Sequence, residues 1–170
     1  MSIRKVIGWK AGDRSIYPLV PESGSILRAM FLGESLWTAL NASYEDEEME
    51  DRMGRLKADL EFFASSPTID PKYLFHLYPA RDAIWEIRSV RDAPSIRVLG
   101  LFAEKDVFIA TTFALRSDLG GWQSREWKEV KRTARQRWAS LCHPYAPLVT
   151  TEVNDVVTGA IDGKYFKIRA

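Results

Sequence analysis

The stretch IWEIRSVRDAPSIRVLGLFAEKDVFIATTFAL, residues 84–115, contains three runs of strand-like sequence. Residues 84–88 alternate apolar and polar side chains, while residues 95–103 and 106–115 are rich in apolar and β-branched ones. A period of two and a β-branched composition favour strands over helices. The turn at residues 104–106 is short enough for a hairpin. We therefore predict a meander of three antiparallel strands in this part of the chain.

Amphipathic helices are predicted on both sides of this stretch. The upstream helix has Ser43 as its cap, Pro67 just beyond its end, and an apolar stripe of Met49, Met53, Leu56, Leu60 and Phe63. The downstream helix has Ser124 as its cap, Pro144 just beyond its end, and an apolar stripe of Trp127, Val130, Ala134, Trp138 and Leu141. Steps of three and four residues place each stripe on one face of a helix, where it predicts packing against a core.

The two ends of the chain give weaker patterns. Alternation over residues 3–9, a turn at 11–14 and the pair Ile16-Tyr17 predict a short N-terminal hairpin. Ser23 or Ser25 then caps a predicted helix that runs to about Leu40. Near the C-terminus, Asp162-Gly163 lies between apolar runs and predicts a second hairpin.

The composition favours one globular domain. The chain of 170 residues has 46% hydrophobic and 28% charged residues, which suits a folded core better than a disordered segment. We predict a single α+β domain over residues 1–170, in which a small twisted antiparallel sheet carries N-terminal helices packed on it and an additional C-terminal helix and hairpin. This architecture has one core and no linker between domains.

Cysteine use and hydropathy indicate the compartment. The single cysteine, Cys142, cannot form an internal disulfide, and the N-terminal residues lack the apolar run of a secretory signal. Charges or prolines interrupt every apolar run before it reaches the roughly 20 residues that a membrane span needs. We therefore expect a cytoplasmic protein without a membrane role.

Charge is distributed unevenly along a chain whose net charge is only +1. Residues 45–61 hold eight acids against three bases, whereas residues 116–137 hold seven bases against three acids. The basic run is either a solvated helix face or a surface for an anionic partner. If it binds nucleic acid, the candidate contact residues are Arg125, Lys128, Arg132 and Arg135.

The common catalytic and metal-binding motifs are absent from the sequence. It has no glycine-rich phosphate loop, no paired cysteines, no H-E-x-x-H and no G-x-S-x-G. His76 and His143 lie in unrelated segments, so a metal site is not expected. Cys142 is followed directly by His143, but neighbouring residues of one chain seldom orient a base toward a thiol. Glu86 is the only acid inside the strand runs, which disfavours a pair of catalytic carboxylates.

Two arginines inside the predicted strands are the most informative polar residues. Arg88 and Arg97 occupy positions where a cation normally avoids burial, so each needs a partner. One interpretation is an internal ion pair with Glu86 or Glu104. The other is a phosphate-binding cluster that adds Arg116, because guanidinium groups bind phosphate bidentately and stabilise the charge of a phosphoryl-transfer transition state.

Residues 84–88, 95–99 and 107–113 resemble the RelE/ParE toxin superfamily of bacterial toxin–antitoxin systems, particularly its phage-derived HigB-like branch. Family members similarly place an apolar-Trp-Glu-apolar-Arg strand before an apolar-Arg-Val strand and a final apolar strand that ends in phenylalanine. The predicted helices before these strands fit as well. The resemblance covers roughly residues 45–118.

The resemblance implies a twisted antiparallel sheet with helices on one side and metal-independent RNA cleavage at the ribosome. It implies an antitoxin and ribosome-associated RNA as partners, no cofactor, and Arg88, Arg97 and Arg116 as catalytic residues. This chain has Ala114-Leu115-Arg116 where the branch has a lysine pair, and it continues for about 50 residues beyond. Tyr145, His143 or Lys128 could supply the proton-transfer group.

Three functions are therefore weighed. The first is a toxin that acts as a ribosome-associated endoribonuclease. The second is a non-catalytic RelE-fold module of phage or plasmid origin that binds protein or nucleic acid, as the missing lysine pair and the long C-terminus suggest. The third is a ParE-like inhibitor of DNA gyrase. Self-association of the chain stays open in all three.

Overall fold

The computed structural model describes residues 1–161 and 168–169. Its helices are α1 (Ile3–Gly12), α2 (Glu34–Asn41), α3 (Glu47–Ser65), α4 (Arg125–Cys142) and the short α5 (Val153–Val156). Its strands are β1 (Ile16–Pro18), β2 (Ala29–Gly33), β3 (Leu74–Leu77), β4 (Trp85–Ser89), β5 (Ile96–Glu104), β6 (Val107–Leu115) and β7 (Ile168–Arg169). The α+β class predicted from the sequence is confirmed. The turn of the predicted C-terminal hairpin, Asp162-Gly163, lies outside the described residues.

All seven strands form one sheet in the order β1-β2-β6-β5-β4-β3-β7. The predicted meander is confirmed, because β4, β5 and β6 are antiparallel neighbours. The expectation of a wholly antiparallel sheet was wrong: β2 pairs parallel with β6, and β7 pairs parallel with β3. Parallel pairing of β2 with β6 requires a long crossover, which α2, α3 and the following strands provide.

Helices cover both faces of the sheet. On one face, α2 and α3 pack through Leu36, Leu56 and Leu60 onto a cluster that includes Trp85, Val98 and Phe108. On the other face, α1 and α4 pack through Ile7, Trp127 and Trp138 onto a cluster that includes Ile84, Leu99 and Ile109. The family resemblance implied helices on one side only. The structure has a second helical layer, which buries polar residues on the other face of the sheet.

A bulge in the centre of the sheet is fixed by Gly100. The register between β5 and β6 shifts between Leu99 and Gly100. A Cβ at this position would lie inside van der Waals contact with the carbonyl oxygen of Ile109 and the ring of Phe108. Only glycine leaves room for that ring, so the close approach explains the residue at this bulge.

The N-terminal predictions were wrong in type. Residues 3–9 form helix α1, whose buried side is Val6 and Ile7, instead of a strand. The helix predicted to run to Leu40 is divided into β2 and α2. A short strand buried on both faces shows a continuous apolar run, which periodicity does not separate from a buried helix. Asp46, and not Ser43, caps α3.

The downstream helix agrees with its prediction. Ser124 caps α4, and its hydroxyl accepts a hydrogen bond from the backbone N–H of Trp127. The helix ends at Cys142, just before the His143-Pro144 pair. In the described part of the chain, no helix combines the length and the apolar character needed to cross a membrane.

Candidate functional site: an arginine cluster and a basic helical layer

Pairing of β4 with β5 brings the two strand arginines together. Arg88 lies directly opposite Arg97 in the register, so both side chains leave the sheet on the same face. Glu86 precedes Arg88 by two residues and therefore shares that face. This is the face that α1 and α4 cover. The sequence prediction that Arg88 and Arg97 adjoin is thus matched by their positions.

Glu86 neutralises part of this cluster. Its Oε1 accepts a hydrogen bond from Nε of Arg88, and it lies 3.6 Å from Nε of Arg97. Glu86 is fully buried, and the side chains of Arg88 and Arg97 are 17% and 9% exposed. Burial raises the pKa of the Glu86 carboxyl, while the charges of Arg88 and Arg97 act in the opposite direction. The internal ion pair considered from the sequence is therefore present.

Positive charge remains in excess after this pairing. Nη1 of Arg97 is buried and has no hydrogen-bond partner among the described residues. Arg116, in the short 3₁₀ turn Arg116–Asp118 after β6, also acts on Glu86 and Arg97 by its charge. Three guanidinium groups thus surround one carboxylate, which leaves an excess of positive charge in the cluster.

Aromatic rings close the cluster on two sides. The guanidinium of Arg88 lies 3.5 Å from the ring centroid of Phe75, on β3. Trp122, in the loop before α4, lies 5.7 Å from the guanidinium of Arg88 and 6.0 Å from that of Arg116. Trp122 also stacks on Trp127 at 4.9 Å. No spacing along the chain connects these rings to the arginines, because each ring comes from a different element.

The residues proposed for proton transfer are mostly far from the cluster. His143 and Tyr145 follow the C-terminal end of α4, whereas Trp122 precedes its N-terminal end; the 18 residues between span about 27 Å. His76, which is not among these candidates, stacks on Trp85 at 4.3 Å between ring centroids and lies on the opposite face of the sheet. Of these side chains, only Lys128 lies near the end of α4 that adjoins the cluster.

A second feature is a basic layer, defined here as residues 3–14 and 125–142, which contain α1 and α4. It holds ten lysines and arginines against three acids. The acidic layer, residues 34–65 with α2 and α3, holds nine acids against three bases. Because these layers lie on opposite faces of the sheet, a protein with a net charge of +1 has one strongly positive and one strongly negative side.

The four predicted nucleic-acid contact residues are all exposed on α4. Arg132 pairs with Glu129 at 2.5 Å, and Arg135 pairs with Asp82 at 3.1 Å. Arg125 and Lys128 form no ion pair among the described residues. They stand three and six residues after Trp122, at the end of the helix that adjoins the arginine cluster. Exposed cations without an ion pair therefore follow closely on Trp122, which contacts the arginine cluster.

The described residues show neither a cluster of potential metal ligands nor an exposed thiol. No group of three or more His, Cys, Asp or Glu side chains there could hold a metal ion. Cys142 is buried in the core under α4, and burial raises the pKa of its thiol to about 11. A thiol with this pKa is protonated near neutral pH and is a poor nucleophile.

Comparison with family models, with curated proteins and with solved structures gives no match to this chain.

Proposed function

We propose that this chain is a RelE/HigB-like toxin component that binds ribosome-associated RNA through its basic layer, under the control of an antitoxin. The observation that carries the proposal is the separation of ten cations against three acids onto one helical side of a nearly neutral protein. Phosphate contacts by lysine and arginine supply most of the affinity for a nucleic acid without requiring a particular sequence. The strand motifs that resemble the family lie on β4, β5 and β6, after the helices α2 and α3, which agrees with this assignment.

Binding is proposed ahead of cleavage because of where the arginines lie. Glu86 already pairs with Arg88 and approaches Arg97, and the ring of Trp122 lies against Arg88. Arg97 is buried, whereas Arg116 is partly exposed and most cations of α4 are exposed, so a phosphate from solvent reaches the latter more readily. On this reasoning the exposed surface serves binding, as in the non-catalytic module considered from the sequence. RNA is the anionic partner.

A binding measurement tests this proposal. Fluorescence anisotropy with a labelled single-stranded RNA should show an affinity that falls steeply as the salt concentration rises from about 50 to about 200 mM. The double variant Arg125→Gln/Lys128→Gln should weaken binding and reduce the slope of log K against log salt by about 1.4, because two phosphate contacts are lost. The matched control Arg55→Gln/Lys57→Gln removes two exposed cations from the acidic layer and should leave both values unchanged.

Equal weakening by both double variants would contradict the proposal, since general charge would then explain the binding. Absence of RNA binding together with inhibition of supercoiling by purified gyrase would instead favour the ParE-like alternative. Co-purification with the product of a neighbouring gene that abolishes RNA binding is the result expected of an antitoxin.

Metal-independent RNA cleavage is a second candidate, favoured by the unpaired Nη1 of Arg97 and the excess positive charge around it. Expression in a bacterium should then arrest growth and shorten reporter transcripts in the presence of chelator. Arg116→Gln should lower the cleavage rate about 100-fold or more while RNA binding and the thermal midpoint are kept, because a donor to the phosphate is removed. Intact transcripts alongside tight binding would leave only the binding function.

A further inference from the structure

A groove of about 620 Å³ opens at the end of the sheet, where α2 from one layer approaches α4 from the other. Polar residues of its lining come from distant parts of the chain and include Ser15, Glu34, Ser35, Thr38, Arg137 and Ser140. None of these residues belongs to the arginine cluster or to the four predicted RNA contacts. The groove therefore calls for an explanation of its own.

Arg137 is held in place by one of its nitrogens. Nη1 donates to Oγ of Ser35, at 2.9 Å, and to the backbone carbonyl of Thr111, at 2.8 Å. The side chain is exposed, and its Nε and Nη2 donate no hydrogen bond within the described residues. A guanidinium fixed at one nitrogen loses little further side-chain entropy when the others bind a ligand. Such a group is preorganised for an anion with two acceptor oxygens.

The other polar groups limit which anion fits. Glu34 also lines the groove and forms no ion pair in the described part of the chain, so a compact inorganic anion would meet a negative charge there. A ligand that carries hydroxyl groups beside its anionic group can donate to this carboxylate. The hydroxyls of Thr38 and Ser140 can both donate to and accept from such a ligand.

We propose that this groove binds a phosphorylated sugar, with its phosphate on Arg137 and Ser35 and its hydroxyls toward Glu34. The sugar phosphate belongs either to a free mononucleotide or to the phosphorylated end of an RNA strand. This proposal stands without the RNA-binding function of the basic layer. The volume of the groove is sufficient for a ligand of mononucleotide size.

Isothermal titration of the full chain with ribose 5-phosphate, adenosine 5′-monophosphate and inorganic phosphate tests the inference. We expect saturable binding of the first two and weaker binding of inorganic phosphate. Arg137→Gln should weaken the binding of ribose 5-phosphate about tenfold or more, because charge-assisted hydrogen bonds to the phosphate are lost. Glu34→Gln should narrow the preference for ribose 5-phosphate over inorganic phosphate, and Arg55→Gln, on α3, should change neither affinity.

Since Arg137 also joins two layers, a second variant keeps the test valid if Arg137→Gln unfolds. Ser140 is exposed and donates no hydrogen bond in the described residues, so Ser140→Trp fills the groove without removing a contact. It should abolish sugar phosphate binding at an unchanged thermal midpoint. Unaltered binding in Ser140→Trp, or no saturable binding of either sugar phosphate to the parent chain, overturns the proposal.

Two further comparisons separate the sources and the proposals. A 5′-phosphorylated RNA that competes with ribose 5-phosphate better than its 5′-hydroxyl counterpart identifies the RNA end as the ligand, and equal competition identifies the free mononucleotide. The Arg125→Gln/Lys128→Gln chain should keep sugar phosphate binding. Failure of the groove proposal therefore leaves the RNA proposal standing, and the reverse also holds.

Discussion

The carboxylate of Glu86 is shared by Arg97, which is buried, and Arg88, which is partly buried. Replacing it with the neutral amide in Glu86→Gln would leave both arginines without this counter-charge. Breaking a buried pair in this way costs about 3–5 kcal/mol of unfolding free energy. We expect that loss in urea denaturation at neutral pH.

A matched control uses another carboxylate that pairs with an arginine. Glu104 accepts from Arg4 at 2.7 Å, but the Arg4 side chain is 80% exposed. Glu104→Gln should cost no more than about 1 kcal/mol, since exposed ion pairs contribute little. Equal losses in the two variants would show that Glu86 is not a special structural charge.

His76 gives the protein a pH dependence of known direction. It is buried against Trp85, and burial lowers its pKa below the ordinary value, with the backbone of Ala80 acting in the opposite direction. The unfolded chain therefore takes up a proton near pH 6.5, before the folded one does. Stability is present above that pH and falls, by up to about 1.4 kcal/mol per pH unit, as the pH drops toward the folded pKa.

In the variant His76→Phe, the unfolding free energy should fall less between about pH 7.5 and about pH 5, a range that includes the ordinary histidine pKa. Its ring can keep the stacking on Trp85. His143→Gln, at the exposed end of α4, is the control and should keep the parent profile. A parent-like slope in His76→Phe would assign the acid sensitivity to other groups.

At the residue scale, part of the site could be predicted from the sequence. The adjacency of Arg88 and Arg97 follows from the two strands, and a pairing with Glu86 was one of the alternatives considered. The roles of Phe75 and Trp122 could not be predicted, because their contacts depend on how β3 and the loop before α4 pack in three dimensions. The groove at Arg137 was missed for the same reason.

At the scale of elements, long and strongly periodic segments were predictable and short buried ones were not. α3 and α4 span enough residues to show their period, β5 and β6 have nine residues each, and β4, with only five, alternates apolar and polar side chains. β2 and β3 have five and four residues without alternation. The type of such short runs is decided by the neighbours they pair with, which are distant in the sequence.

The bulge in β5 supplies a test at this scale. Gly100→Ala should lower the unfolding free energy by about 1–3 kcal/mol, because its methyl group would displace Phe108 and the backbone of β6. Gly54→Ala, at an exposed position of α3, meets nothing within 4 Å and should raise the unfolding free energy by up to about 1 kcal/mol. The two chemical changes are identical, so opposite signs in denaturant unfolding would isolate the packing of the bulge, and matching signs would contradict it.

At the scale of the whole molecule, the two helical layers explain why net charge is a poor guide to this protein. Residues 45–61 and 116–137 already showed the opposite charge runs in the sequence. Only the fold reveals that the acidic run and the basic run are held on opposite faces of one sheet, and that α1 adds its cations to the basic side. The family resemblance implied helices on one face only, whereas α1 and α4 form a second helical layer on the other face.

At pH 7, the retention of this protein on an ion-exchange resin should depend on the charge of one face and not on the net charge. With +1 overall, a protein with evenly mixed charges would pass through both sulfonate and quaternary ammonium resins at moderate salt. This chain should be retained by both, each resin selecting one orientation. If either resin failed to retain the protein in dilute buffer, the opposite charges of the two faces would have to cancel at the resin surface.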